Sequence, residues 1–325
     1  MKKAVVSILI INYNGKHLLK IILDSIKKLS FQNYEIVVVD NNSTDGSQDF
    51  IKKNYKKVII VQNDENLGTS GINSGLPYCN GKYIFYLNND IQLEKNCLSI
   101  LYEIIESNPS IGLVAPRIIN FYNRNIKSGG YWLSRSFYAG HYLQDKTKAK
   151  NKALVEIPYA GVFLFRKEIA AKLGYLFDHH YFIYAEDLDF CLRARLLGYK
   201  VVLAPDAVIY HMHAATIGKQ KSYKSVYFLE RNLLSTFLKV LSFKSILVLS
   251  PYVVAMRFLA VIRNILRFQF MNALARIMAI LWVLLHSNII YEKRLKLQKM
   301  RKVNDKELLR LFSEKYLFKS KPLPL

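Results

Sequence analysis

Three times along this chain a short apolar run stops abruptly on acids and amides. Val37-Val38-Val39 leads into Asp40-Asn41-Asn42-Ser43-Thr44-Asp45-Gly46, Tyr83 to Leu87 leads into Asn88-Asn89-Asp90, and Tyr181 to Tyr184 leads into Ala185-Glu186-Asp187-Leu188-Asp189. An open α/β sheet places ligand groups in this way, because the crevice beyond the carboxyl ends of parallel strands is where the backbone splays and small molecules fit. A fourth run, Val208-Ile209-Tyr210, ends in His211, with His213 two residues further on.

The segments between these ends alternate in period. Val5 to Ile11 is nearly continuous apolar sequence, as in a strand covered on both faces, and Leu18, Leu19, Ile22, Ile26 and Leu29 then recur at helical spacing. Strands are expected again over 36–39, 58–61 and 83–87, and a helix over 98–106, stopped by Asn108-Pro109. Strand and helix alternating through short connections imply a Rossmann-like, mostly parallel sheet flanked by helices, with right-handed crossovers. From about Asn120 to Lys152 no period holds, which marks a functional or mobile stretch. Strands resume at 161–165 and at 201–203, before Pro205.

From about Tyr223 long apolar, basic helices take over, so the expected division is a catalytic domain over 1–220 and a helical region over 221–325. Of the net charge of +23, 16 lies from Lys219 onward, where 21 Lys and Arg face 5 Asp and Glu. Ile246 to Met256 and Ile277 to Leu285 are the longest uncharged stretches, and both fall short of the roughly 20 apolar residues of a spanning helix. Arg257, Arg263, Arg267 and Arg276 interrupt the apolar surface, and Phe258, Phe268, Phe270 and Trp282 are available to enter an acyl boundary. Amphipathic helices lying on the cytoplasmic face of an anionic membrane are therefore expected, with docking on the catalytic domain or on a second copy as the other reading. Nucleic acid is the remaining partner that a basic tail suits, and it is not expected here. Cys79, Cys97 and Cys191 are widely separated, odd in number and without metal-ligand spacing, which fits buried thiols in a reducing compartment. Lys2-Lys3 before Ala4 to Ile11 imitates a signal peptide, but the apolar run is short and no small-residue cleavage site follows, so a first strand and a cytosolic chain are expected.

Each acidic end suggests a chemistry. The Asp40 carboxylate suits a nucleobase N–H or a ribose hydroxyl, or else a helix cap. The segment from Asn66 through Gly68 and Gly71 to Asn73 is glycine-rich enough for backbone to approach a ribose or phosphate, yet it has neither the Walker lysine nor the GxGxxG pattern. Asp90 suits Mg2+ or Mn2+, which keep positions for water and substrate phosphate, with the His211 imidazole as a second ligand. Glu186 and Asp187 open a helix amid apolar sequence, where a buried carboxylate suits general-base work, and Asp189 and Arg193 stand at i and i+4.

In order and spacing these residues resemble a family 2 glycosyltransferase of the type A fold, over roughly 5–218. The resemblance rests on Ile10-Ile11-Asn12-Tyr13-Asn14-Gly15, Val39-Asp40-Asn41-Asn42-Ser43-Thr44-Asp45-Gly46-Ser47, Asn66-Leu67-Gly68, Leu87-Asn88-Asn89-Asp90, and Phe177-Asp178 leading to Tyr184-Ala185-Glu186-Asp187-Leu188-Asp189-Phe190-Cys191-Leu192-Arg193. It implies that Asn12, Tyr13, Asn14, Asp40, Asn42, Asn66, Gly68, Asn73, Asn88 and Asn89 bind the nucleotide, with Asp40 reading the base. It further implies metal at Asp90 and His211, Asp187 as base with Glu186 beside it, and Gly161, Asp189 and Arg193 toward the sugar or acceptor. Asn88 replaces the first acid of the usual Asp-x-Asp motif, as in the rhamnosyltransferase-like branch. The implied reaction is inverting transfer from dTDP-rhamnose or a UDP-sugar to a hydroxyl of a glycan or lipid-linked acceptor in cell-surface polysaccharide assembly. Two rivals are weaker. A nucleotidyltransferase would want a glycine- and lysine-rich loop where Asn12 to Lys16 stands, and a non-catalytic membrane scaffold gains from Asn88 but not from Asp90, Glu186 and Asp187.

Overall fold

The computed structural model describes residues 4–124, 126–128, 131–141, 154–212 and 222–312. Its first part winds β1 (Val6–Asn12), α1 (Lys16–Lys27), β2 (Tyr34–Asp40), α2 (Ser47–Asn54), β3 (Val58–Gln62), a 3-10 helix (Gly68–Tyr78), β4 (Tyr83–Asn88), β5 (Ile91–Leu93), α3 (Cys97–Ser107) and β6 (Ile111–Asn120). Then come β7 (Ile126–Ser128), β8 (Tyr131–Leu133), β9 (Ala139–His141), β10 (Val155–Glu156), β11 (Phe163–Arg166), α4 (Lys167–Leu173), α5 (Glu186–Leu196) and β12 (Lys200–His211). The chain continues through α6 (Tyr223–Val240), α7 (Phe243–Leu266), α8 (Phe270–Leu285), α9 (Ser287–Lys299) and α10 (Asp305–Leu309).

The main sheet runs β10-β12-β6-β11-β4-β1-β2-β3, with β5 added to β12 and β7 to β6. β1 pairs in parallel with both β2 and β4, and β2 with β3, so Asn12, Asp40 and Asn88 finish side by side at one edge. All seven residues of β1 are buried, as its unbroken apolar run requires of a central strand. β11 alone among the central strands is reversed, antiparallel to β4 and to β6. That reversal carries the chain back from the site and lets α5 return beneath it.

The glycine-rich stretch after β3 is 3-10 helix. Two local expectations are revised. The stretch from Asn120 contains β7 and the β8–β9 hairpin before it passes outside the described residues at 142–153. Pro205 does not end its strand: pairing with β6 jumps from Ala204↔Pro116 to Val208↔Arg117, and the bulge absorbs the residue that has no N–H to donate. His211 is thereby delivered to the same edge as Asp90.

The C-terminal helices pack on the sheet domain and on one another. α7 is continuous for 24 residues through Pro251 and Arg257, and it is the one described helix long and apolar enough by itself to cross a membrane. Arg257 does not interrupt it, because the guanidinium turns inward, donates to the carbonyls of Ser136 and Phe137, and lies 3.4 Å from the buried Glu230. Arg276 likewise turns inward to Glu230, and Trp282 lies against Arg231 and stacks on His286 rather than facing out. Arg263, Arg267, Phe258, Phe268 and Phe270 are exposed. Cys79, Cys97 and Cys191 are free and buried.

Candidate active site

The edge formed by β1, β2 and β4 is closed by a polar network in which most groups are already satisfied. Asp40 is fully buried, and its carboxylate accepts from the Ser43 amide (2.8 Å), Gln48 (2.9 Å), Asn12 (2.8 Å) and the Ser43 hydroxyl (2.7 Å). A carboxylate has about four acceptor positions, and here the chain's own donors occupy them. Asp40 thereby builds the turn after β2. Asn12 is spent in the same way: its amide donates to Asp40 and Ser43, and its oxygen accepts from Asn89 at 2.7 Å. A Cβ on Gly15 would lie 2.1 Å from Nδ2 of Asn89, so only glycine lets these amides meet.

Tyr13, Asn14 and Asn42 stay at the accessible rim of this network, with Asn14 accepting from the Thr44 amide and Asn42 donating to the Asp64 carbonyl. Asn88 accepts from the buried Tyr86 hydroxyl at 2.8 Å. Asn66 accepts from Asn41 and from the Gly68 amide, while Asn41 also donates to the Gly68 carbonyl and accepts from Asn63. Asn73 belongs to the framework instead of the nucleotide site, since it donates to the Phe177 carbonyl and accepts from the amides of Leu176 and Phe177.

The 3-10 helix also brings the second half of the site into place. Gly68 has φ +62°, and a Cβ there would sit 1.9 Å from the Phe182 carbonyl oxygen, while the Thr69 amide donates to that oxygen at 2.8 Å. The segment entering α5 is thus pinned to the nucleotide-side loop by a contact that any side chain at position 68 would break. Tyr184 (φ 69°) and Ala185 (φ 60°) follow in consecutive left-handed conformations, each costing on the order of 1–3 kcal/mol for a residue with a side chain. This turn presents Glu186 and Asp187 at the first turn of α5.

Glu186 is buried, and its Oε2 has no hydrogen-bond partner. Burial, then the neighbouring Asp187 charge, push its carboxyl up to about 8. Asp187 keeps a partly accessible edge, and burial raises it to about 6 against the hydrogen bond from the Leu188 amide. Gly161 lies directly over it: a Cβ there would come within 3.1 Å of Asp187 Oδ2 and 2.9 Å of the Tyr131 hydroxyl. Asp90 meets His211, whose Nε2 lies 3.1 Å from the carboxylate. The charges of Glu186, Asp187 and Asp90 all bear on Tyr86, and that of Asp187 also bears on Tyr131 and Tyr159, so acids from two separate stretches gather by the same tyrosines.

No group of three or more His, Cys, Asp or Glu side chains stands ready for a metal among the described residues. Asp90 and His211 supply one oxygen-rich and one nitrogen donor, which fits a divalent cation that takes its other ligands from water and a diphosphate. His213 lies outside the described residues.

Asp189 and Arg193 do not reach this space and are corrected. Asp189 is fully buried between Arg193 and Lys239, each 2.7 Å away, and Arg193 also donates to the carbonyls of Tyr175 and Leu176. Lys239 bridges on to Asp178 at 2.7 Å. Residue types alone did not single out Tyr86, Tyr131, Tyr159, Thr69 and Lys239. Tyr86 lies within β4, Tyr131 opens β8, Tyr159 lies between β10 and β11, Thr69 is in the 3-10 helix and Lys239 is in α6, so nothing local in the sequence links them and only the folded chain brings them together.

The family model described as "Glycosyl transferase family 2" matches residues 7–174. Among curated relatives, the "Amylovoran biosynthesis glycosyltransferase AmsB" of Erwinia amylovora is 26% identical over 240 residues, covering 70% of this chain and 75% of that protein. The "UDP-Glc:alpha-D-GlcNAc-diphosphoundecaprenol beta-1,3-glucosyltransferase WfgD" of Escherichia coli is 29% identical over 148 residues, covering 40% of this chain and 58% of that protein. Among solved structures, GalNAc-T7 with UDP, GalNAc and Mn2+ superposes with a TM-score of 0.60 at 17% identity, covering 73% of this chain and 48% of that one. TarS 1-349 of S. aureus in complex with UDP gives 0.52 at 17% identity, covering 72% and 66%. At such identities the structural likeness concerns the fold alone, which is the type A arrangement.

Proposed function

The chain belongs to glycosyl transferase family 2, and from that premise we propose that it catalyses inverting transfer of a sugar from a nucleotide diphosphate sugar to a hydroxyl of a glycan or lipid-linked acceptor. The observation that carries this reading is the meeting of Asp187, Glu186 and the Asp90–His211 pair around Tyr86. Asp187 is the base. It takes the proton of the acceptor hydroxyl as that oxygen bonds to the anomeric carbon, while the bond from that carbon to the diphosphate oxygen breaks and its electron pair leaves with the nucleotide. A group held near 6 is ionised at neutral pH yet basic enough to accept that proton. Glu186, held higher, carries a proton into the neutral range and leaves Asp187 as the charged member.

Asp90 and His211 are the residues that hold a divalent cation in this reading, and when bound it neutralises charge on the leaving diphosphate. Tyr13, Asn14, Asn42, Asn66, Asn88 and the Gly68 backbone are the nucleotide contacts retained. Gly161 leaves room for the acceptor beside Asp187. A UDP-sugar is favoured over dTDP-rhamnose, because the glucosyltransferase relative and the superposed structures are named with UDP compounds. A lipid-linked acceptor is favoured by the name of the Escherichia coli relative, and polysaccharide assembly by that of the Erwinia amylovora relative.

Residues 221–325 act, in this proposal, as a membrane-docking layer on a catalytic domain of residues 1–220, at the cytoplasmic face. Val248, Val254, Phe258, Leu266 and Phe268 form exposed apolar surface along and just after α7, flanked by the exposed Arg263 and Arg267. That combination suits an anionic lipid surface. The deciding experiment screens UDP-glucose, UDP-GlcNAc and dTDP-rhamnose for hydrolysis and thermal stabilisation, with and without Mn2+, in wild type and Asp187→Asn. Metal-dependent turnover of one donor that disappears in the variant is expected. Equal turnover in both proteins removes Asp187 as base.

A further inference from the structure

The helix α6 stands outside the sheet, yet it grips the turn that carries the acids. Asn232 is fully buried, and its Nδ2 donates to the carbonyls of Ile183 (3.0 Å) and Tyr184 (2.7 Å), the two peptide groups that open the left-handed turn. Its Oδ1 accepts from Arg231 Nε at 2.9 Å, and Arg231 in turn donates to the His180 carbonyl and lies over Phe228 and Trp282. The backbone carbonyl of Asn232 accepts from the Tyr181 hydroxyl at 2.9 Å. One turn further along α6 Thr236 donates to Asp189 at 3.2 Å, and two turns along Lys239 pairs with it, so the same helix holds α5 at a second point.

We propose that Asn232 is the positioning residue for the Glu186–Asp187 pair, acting by holding the strained backbone of Tyr184 and Ala185 from the far side of the turn. Two consecutive non-glycine residues in the left-handed region persist only where the surroundings over-determine them. Here the two carbonyls that would swing when the turn relaxes to the right-handed region are the two that Asn232 holds. Neither carbonyl belongs to a strand, and α5 begins only at Glu186, so the regular elements do not supply that restraint. The part of this inference that concerns turnover rests on the transfer reading above; the part that concerns geometry does not.

The test follows the carboxyl titration of Glu186 and Asp187 by 13C NMR in the full chain, in wild type, Asn232→Ala, Asn232→Ser and the double variant Asn232→Ala/Ala185→Gly. The groups facing the pair are Thr69, Tyr86, Tyr131, Tyr159 and Cys191. Relaxation of the turn in Asn232→Ala admits water, and the titration midpoints are expected to fall by one unit or more. Asn232→Ser, with one donor left, should lie between. Glycine at 185 adopts the left-handed conformation without penalty, so the double variant should recover at least half of the shift. Wild-type midpoints in a folded Asn232→Ala or Asn232→Ser protein overturn the proposal, as does a shift that Ala185→Gly leaves unchanged. With UDP-glucose as probe, kcat is expected to fall tenfold or more at unchanged KM. Absence of any nucleotide-sugar turnover in wild type would sink the transfer reading while the titration still decides the role of Asn232.

Discussion

Asp40 and Asp187 each follow an apolar run, yet they do opposite work. Asp40 accepts four hydrogen bonds and is closed to solvent. Asp187 accepts one hydrogen bond from the neighbouring amide, keeps an open edge and sits beside a glutamate with an orphaned oxygen. A carboxylate whose acceptor positions are filled is structure. One that is desolvated without being filled is held ready for chemistry, and the fold bears the cost.

That contrast breaks most visibly in turnover. Asp187→Asn is expected to lower kcat by roughly 10²–10⁴ with donor affinity retained, as read by steady-state kinetics and titration calorimetry; a loss of donor binding of the same size would return Asp187 to the structural class. Next in size is Lys239→Met, which leaves the buried Asp178 and Asp189 short of their shared cation. Burial acts to raise Asp178, but Lys239, His180 and Lys293 outweigh it and hold the carboxyl far below its usual range. Removing the lysine should cost about 3–5 kcal/mol in urea unfolding, and a neutral result would mean that the cluster is not paired as described.

Asp40→Asn should cost about 1–3 kcal/mol, because the new amide nitrogen faces donors from Ser43, Gln48 and Asn12. Asp187→Asn should do the reverse. A carboxyl whose folded pKa is raised contributes stability that is fully present below its ordinary pKa and is lost as pH rises through the folded value. For Asp187 that window runs from 3.8 to about 6, and for Glu186 from 4.5 to about 8. Above pH 8 wild type therefore carries the whole penalty, and the amide variant should be more stable by about 1–3 kcal/mol, a gain that shrinks toward pH 4. Opposite signs for the two substitutions sharpen the comparison; equal destabilisation at pH 8 would erase it. The smallest effect concerns the helical layer, where Phe258→Ser with Phe268→Ser should weaken flotation with anionic vesicles by about tenfold.

Much of this was legible in the chain. The unbroken apolar run of β1, the helical spacing of α1 and the acids after β2 and β4 follow from local pattern, because strand and helix periods are set by backbone geometry over a few residues. Asp90 beside His211 was also anticipated, since both end strands that a parallel sheet delivers to one edge. Asn73, Asp189 and Arg193 were misjudged because polar residues in a loop or first turn look alike whether they face a ligand or a neighbouring carbonyl. Arg257 was read as a break in an apolar helix, although two carbonyls over a hundred residues away cover its charge.

By itself the sequence determined the alternation of strand and helix and the short stretches from which a site can be drawn, consequences of composition and spacing within about ten residues, while the order of those stretches carried the resemblance to the family. The tertiary structure alone decided which carboxylates are spent and which are free, because that depends on donors contributed by distant segments: Asn12 and Gln48 for Asp40, Lys239 for Asp189, and for Asp187 little beyond its neighbouring amide.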